Sequence, residues 1–155
     1  MRRADREIKD RAEIDDILNR GRVCSLGLCE GGVPYVVPVN YGYADGCLYI
    51  HSAREGRKID ILRMNNLVSF AIFVDYKVVP AEKACSFTSV YRSVMGTGRA
   101  SLLEGREEKE QALRIIMRHY SDGEFEFEPQ RVDQVAIIKV EVDSLMAKSS
   151  GRVNR

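Results

Sequence analysis

A mainly β fold with inserted helices is what the sequence predicts: an antiparallel barrel or sandwich of about six strands in a single domain, 1–155. Three observations carry this expectation. Apolar residues alternate or run in about six short segments rich in Val, Ile, Tyr and Phe. Turn chemistry joins the first three segments directly, with no helix between them. Helical periods fall only at the start of the chain and as insertions between later strands. A doubly wound parallel sheet needs a helix after nearly every strand and is therefore excluded.

Taken in order, residues 1–21 form an N-terminal helix region. Asp10 supplies a capping side chain with Glu13 three residues on, Ile14, Ile17 and Leu18 share one face, and Gly21 stops the helix. Arg22 to Cys29 reads as a strand, Glu30-Gly-Gly32 as a turn, and Val33 to Tyr43 as one long second strand. Asp45-Gly46 suits a tight hairpin turn, because both central positions need positive φ; Cys47 to His51 then completes a three-strand meander. A short helix covers 55–64 with Ile59, Ile61 and Leu62 facing inward. Leu67 to Val74 is a strand, 75–88 a polar, proline-broken connection, and Val90 to Leu102 a strand in which Gly96 and Gly98 mark a bulge or close approach. Glu107 to Tyr120 has the strongest helical period, through Ala112, Leu113, Ile116 and Tyr120. Asp122 to Pro129 is an acidic loop, Val135 to Val142 the last strand, and 144–155 a polar, flexible tail.

With 24 basic and 23 acidic residues the net charge is +1, which argues against a nucleic-acid partner. No apolar run nears the roughly 20 residues of a membrane helix, so no membrane partner is expected. The start, Met1-Arg-Arg-Ala-Asp-Arg-Glu7, is too charged for a secretory leader. Cys24, Cys29, Cys47 and Cys85 form no Cys-x-x-Cys pair, and His51 and His119 are the only histidines, so no metal site is expected. Three of the cysteines lie in apolar runs as small hydrophobes, and the expected location is the reducing cytoplasm.

Chemistry concentrates where the third strand gives way to the short helix, Tyr49-Ile-His-Ser-Ala-Arg-Glu-Gly-Arg-Lys-Ile-Asp-Ile-Leu62. A helix N-terminus offers free N–H groups and the positive end of its dipole. Ser52 adds a hydroxyl, Arg54, Arg57 and Lys58 add charge, and Gly56 lets backbone come close. Two readings stay open: a phosphate site, or a solvated cationic helix start that Glu55 partly neutralises. His51 is either a structural residue at a strand end or a contact to a bound ligand. Pro34 and Pro38 share a parity in the second strand and remove two N–H donors from one edge. A strand between two hairpins should be central. Either a gap leaves backbone groups such as those of Val39 and Tyr41 free for a flat heterocycle, or water fills a kink.

Several segments, taken together and in order, carry a resemblance. They are Met1-Arg-Arg-Ala-Asp-Arg-Glu-Ile8, Val37-Pro-Val-Asn-Tyr-Gly-Tyr43, Leu48-Tyr-Ile-His-Ser-Ala53 with Gly56-Arg-Lys58, Val68-Ser-Phe70, and Tyr91-Arg-Ser-Val94 with Gly98-Arg-Ala100. In order and spacing they resemble the FMN-binding split-barrel superfamily related to pyridoxamine 5′-phosphate oxidase, and within it the nitroimidazole-resistance (Nim) type flavoproteins. The resemblance implies a six-stranded antiparallel split β-barrel, and a homodimer with FMN in each of two clefts at the subunit interface. It places the FMN phosphate at Ser52, Arg57 and Lys58 with His51 close by. The ring would lie along Val37, Pro38, Val39, Asn40 and Tyr41, and Tyr91, Arg92 and Ser93 would complete the cleft from the other subunit.

The function implied is a small-molecule oxidoreductase, nitroreductase-like or pyridoxamine 5′-phosphate oxidase-related, with no catalytic residue assigned. The basic and polar set with which the oxidase itself holds pyridoxal phosphate has no match here. The alternatives are a non-catalytic flavin carrier or sensor, and a member of the superfamily that uses haem or a deazaflavin. Haem would require His51 or His119 as axial ligand.

Overall fold

The computed structural model describes residues 4–151. Residues 1–3 of the N-terminal region and 152–155 of the expected tail lie outside the described residues. The elements run β1 (Glu7–Ile8), α1 (Arg11–Arg20), β2 (Cys24–Glu30), β3 (Val33–Val39), β4 (Gly42–Ala44), β5 (Cys47–Ser52), α2 (Arg57–Met64), β6 (Leu67–Val79), β7 (Thr88–Leu102), α3 (Arg106–Tyr120), α4 (Pro129–Gln134) and β8 (Ala136–Ser150). Every strand pairing is antiparallel, in the order β3-β2-β6-β7-β8-β5-β4, with β1 added on β8. The fold is therefore mainly β with inserted helices, as the sequence predicts, and the strands number eight rather than six.

Local chemistry accounts for most boundaries. The Asp10 side chain accepts from the Ala12 N–H at 2.9 Å and starts α1. Gly21 ends it for a packing reason. Its φ is −60°, and a Cβ there would stand 2.3 Å from Ile72 and 2.6 Å from the Tyr41 hydroxyl. Asp45 and Gly46 have φ of +50° and +74°, the two positive angles the hairpin between β4 and β5 needs.

The expected long second strand breaks at Asn40-Tyr41, which alters the topology. β3 becomes one end of the sheet path and β4 the other, and β5 pairs with β4 and β8. There is no three-strand meander. Pro34 and Pro38 are accommodated because β3 is an edge strand, so neither missing N–H interrupts a ladder. Tyr41 sits at the crossing with no exposed surface, its hydroxyl donating to the Leu18 carbonyl at 2.6 Å.

Two further expectations are corrected, and one helix is added. The connection at 75–88 is shorter, because β6 continues to Val79 beyond a bulge between Val74 and Lys77, and β7 already begins at Thr88. The last strand does not stop at Val142. β8 reaches Ser150 by pairing with β7, so 144–150 is ladder rather than tail. A helical turn, α4, follows Pro129, which is placed where its missing N–H has no consequence. The main core joins the inner face of the sheet (Leu26, Leu48, Ile50, Phe70, Ile72, Val94, Ile138, Val140) to Ile17 and Leu18 of α1 and Ile59 and Ile61 of α2. A smaller core on the opposite face sets Ala112 and Ile116 of α3 on Ile137.

Candidate functional site

β5 ends at Ser52, opposite Ala136 of β8, and four residues later the chain turns into α2. Gly56 is the cap, at φ +119°, and no side chain caps the helix. The amides of Ile59 and Asp60 bond back to the Gly56 carbonyl, so those of Arg57 and Lys58 have no acceptor within the helix. A Cβ at Gly56 would meet nothing within 4 Å, so this backbone is open to a ligand.

The two cations of the first turn differ. Arg57 stacks on the Tyr35 ring at 4.7 Å and pairs with Glu30 at 3.4 Å, both on the β2–β3 hairpin. Lys58 is half-buried, has no carboxylate partner among the described residues, and its pKa is lowered by that burial. A desolvated cation at an uncapped helix N-terminus favours an anion. Arg54 reaches the Asp133 carbonyl at 3.4 Å instead, and His51 is exposed, opposite Ile137.

The proline-bearing strand presents its open edge. Tyr35, Val37 and Val39 turn side chains toward the core, while Pro34, Val36 and Pro38 face out. By the alternation of an antiparallel pair, the residues of the proline parity aim their backbone groups at the open edge, which makes Val36 the one N–H donor between the two prolines. The expectation of free groups at Val39 and Tyr41 is corrected. Val39 lies opposite Cys24 with the opposite parity, and the Tyr41 N–H donates to the Tyr120 hydroxyl at 2.9 Å. Asn40 is exposed and donates to the Arg22 carbonyl at 3.4 Å.

The remaining residues lie on β7 and separate by parity. Arg92 turns inward, 8 % exposed, and pairs with Asp75 at 2.7 Å, Asp16 at 2.9 Å and Glu13 at 3.5 Å. It ties α1 to the sheet and is not directed at an outer cleft. Tyr91 and Ser93 turn outward into a basin beside Phe73, Tyr76 and Lys148. α2 packs against β2, whereas Tyr91 and Ser93 stand between β6 and β8, so one chain does not bring the two groups together. Glu30, Tyr35, Phe73, Tyr76 and Lys148 were not among the sequence candidates. Strand parity points Phe73 outward, whereas Lys148 was hidden in the segment read as tail.

The model of the family described as pyridoxamine 5′-phosphate oxidase matches residues 10–149. A crystal structure of a proposed 5-nitroimidazole antibiotic resistance protein from Bacteroides thetaiotaomicron is 38 % identical, covering 92 % of this chain and 86 % of its own, with a TM-score of 0.83. A flavocytochrome from Azotobacter vinelandii is similar in fold, with a TM-score of 0.84 at 21 % identity over 98 % of this chain and 72 % of that one. So is an FAD- and haem-binding protein from Mycobacterium smegmatis, with a TM-score of 0.84 at 17 % identity over 97 % of this chain and 76 % of that one. No curated protein sequence matches significantly.

Proposed function

Because the chain belongs to the pyridoxamine 5′-phosphate oxidase family, we propose that it binds FMN and serves as a small-molecule oxidoreductase. The observation that carries the reading is Lys58: a half-buried ammonium with no carboxylate partner among the described residues, at the uncapped start of α2. Lys58, the Ser52 hydroxyl and the free amides of Arg57 and Lys58 would hold the phosphate. Arg57 would add its charge on leaving Glu30. The backbone of β3, through its open edge, would hold the ring. Bound there, the flavin supplies the electron transfer, and the protein's part is to orient it and shield it from water. His51, one residue before Ser52, shares the face of Ile137 on the other side of the strand, and no part in holding the phosphate is given to it.

A homodimer forms part of this proposal, since Tyr91 and Ser93 cannot join the α2 corner within one chain. Leu67 and Met146 expose apolar surface on the outer side of β6 and β8, available to a second copy of the chain. A cytoplasmic location is supported by four free cysteines. Among the described residues no helix is long and apolar enough to cross a membrane. For the haem alternative His119 is already engaged, its Nε2 lying 2.5 Å from the Gly21 carbonyl, which leaves His51 as the exposed imidazole.

The test is titration of ligand-free protein with FMN, FAD and riboflavin, followed by flavin fluorescence. FMN should bind and riboflavin should lose most of the affinity. Lys58→Ala should weaken FMN by about tenfold or more, the scale of one hydrogen bond to a charged group. Unchanged FMN affinity in that variant removes Lys58 from the phosphate site. Turnover of the reduced, loaded protein with a panel of electron acceptors separates an enzyme from a carrier.

A further inference from the structure

The basin on the outer face of the sheet has a volume of about 380 Å³, within the roughly 300–1,000 Å³ of small-molecule sites. Phe73, Tyr76, Tyr91 and Met95 wall it. Strand register explains its polar side. Phe73 lies opposite Ser93 and Ser93 opposite Lys148, so a ring, a hydroxyl and an ammonium form one row across β6, β7 and β8. Ser93 faces outward and is still only 8 % exposed, and its Oγ is the one buried side-chain polar atom without a hydrogen-bond partner among the described residues. Lys148 Nζ lies 5.6 Å from the Tyr91 ring centroid and has no carboxylate partner among the described residues. Its neighbour across β1, Glu7, pairs with Lys9 at 3.6 Å.

We propose that this basin is the substrate side of the cleft and takes a planar aromatic carboxylate. The ring packs on Phe73, Tyr76 and Tyr91. One carboxylate oxygen accepts from the Ser93 hydroxyl and the other pairs with Lys148. A neutral arene answers the walls and leaves the cation unmatched, and a bare phosphate answers the cation and leaves the walls unmatched. The assignment to a substrate rests on the flavin reading above, whereas the binding of the anion does not.

Protein carrying methyl-¹³C methionine is titrated with benzoate, both FMN-free and FMN-loaded, and observed by NMR. The Met95 methyl should shift saturably in both forms, with Met64 and Met117 unmoved. Ser93→Ala should weaken benzoate about tenfold or more, as loss of a hydrogen bond to a charged group does. Lys148→Met should abolish the preference for benzoate over benzamide and nitrobenzene, and Lys148→Arg should retain it. Benzamide or nitrobenzene binding as tightly as benzoate overturns the proposal, as does a Met95 signal that never saturates or a Ser93→Ala affinity equal to that of the parent. FMN loading that erases the response assigns the basin to the flavin and overturns it too. FMN uptake is read in the same samples. Benzoate binding to protein that takes up no FMN supports the anion site and removes the flavin reading alone.

Discussion

Arg57 and Lys58 are neighbours in sequence and unlike in surroundings. Glu30 and Tyr35 already occupy the guanidinium, so any phosphate must compete with a carboxylate for it. The pair is exposed and worth at most about 1 kcal/mol. Glu30→Gln should therefore tighten FMN by up to about fivefold in calorimetric titration, and no change would mean that Arg57 stays on Tyr35. His119 makes a second residue-scale prediction. Burial lowers its pKa, despite the favourable contact to the Gly21 carbonyl. A histidine with a depressed folded pKa binds its proton more readily when unfolded, so its contribution to stability is present above the ordinary value of 6.5 and declines as pH falls through it. Denaturant midpoints should drop between pH 7.5 and 5.5, and His119→Gln should flatten that slope. Several residue-scale features were legible from sequence: the Asp10 cap, the Asp45-Gly46 turn and the cationic α2 start. The partners of Arg57 and Arg92 were not, because each lies on an element far along the chain.

At the scale of elements, α1 is held to the sheet by one charge network. Asp75 binds both Arg20, at 2.6 Å, and Arg92, at 2.7 Å, which holds its carboxyl below the usual carboxylate range. Its φ of +58° at the β6 bulge is one that asparagine also tolerates. Asp75→Asn should thus keep the turn, weaken both ion pairs and destabilise by about 2–4 kcal/mol in urea unfolding, since it removes one partner of the buried Arg92. An effect under 0.5 kcal/mol would make the network ornamental. Gly96 and Gly98 were expected to mark a bulge or close approach, and both descriptions hold. The register of β7 on β8 shifts between Thr97 and Gly98, and a Cβ at Gly96 would stand 2.4 Å from the Phe70 ring. Gly96→Ala should cost about 1–3 kcal/mol by overpacking, read as a lowered melting temperature.

For the whole molecule, the dimer is the prediction to settle first. Sedimentation should give twice the 17.6 kDa of the chain, and Met146→Glu, on the exposed face of β8, should shift it toward monomer. A wild-type monomer would leave the α2 corner and the Tyr91–Ser93 basin unconnected and would undo the shared cleft. Alternation and turn residues, which act over a few positions, determined from the sequence alone that this chain is mainly β, where most strands begin, and that cations gather ahead of α2. What sits beside what was decided only by tertiary structure. The break at Tyr41 sends β3 and β4 to opposite ends of the sheet, Arg92 turns into the molecule while Ser93 turns out, and 144–150 becomes ladder because β7 is there to pair with it. Each of these depends on contacts between residues tens of positions apart, and no local pattern encodes such contacts.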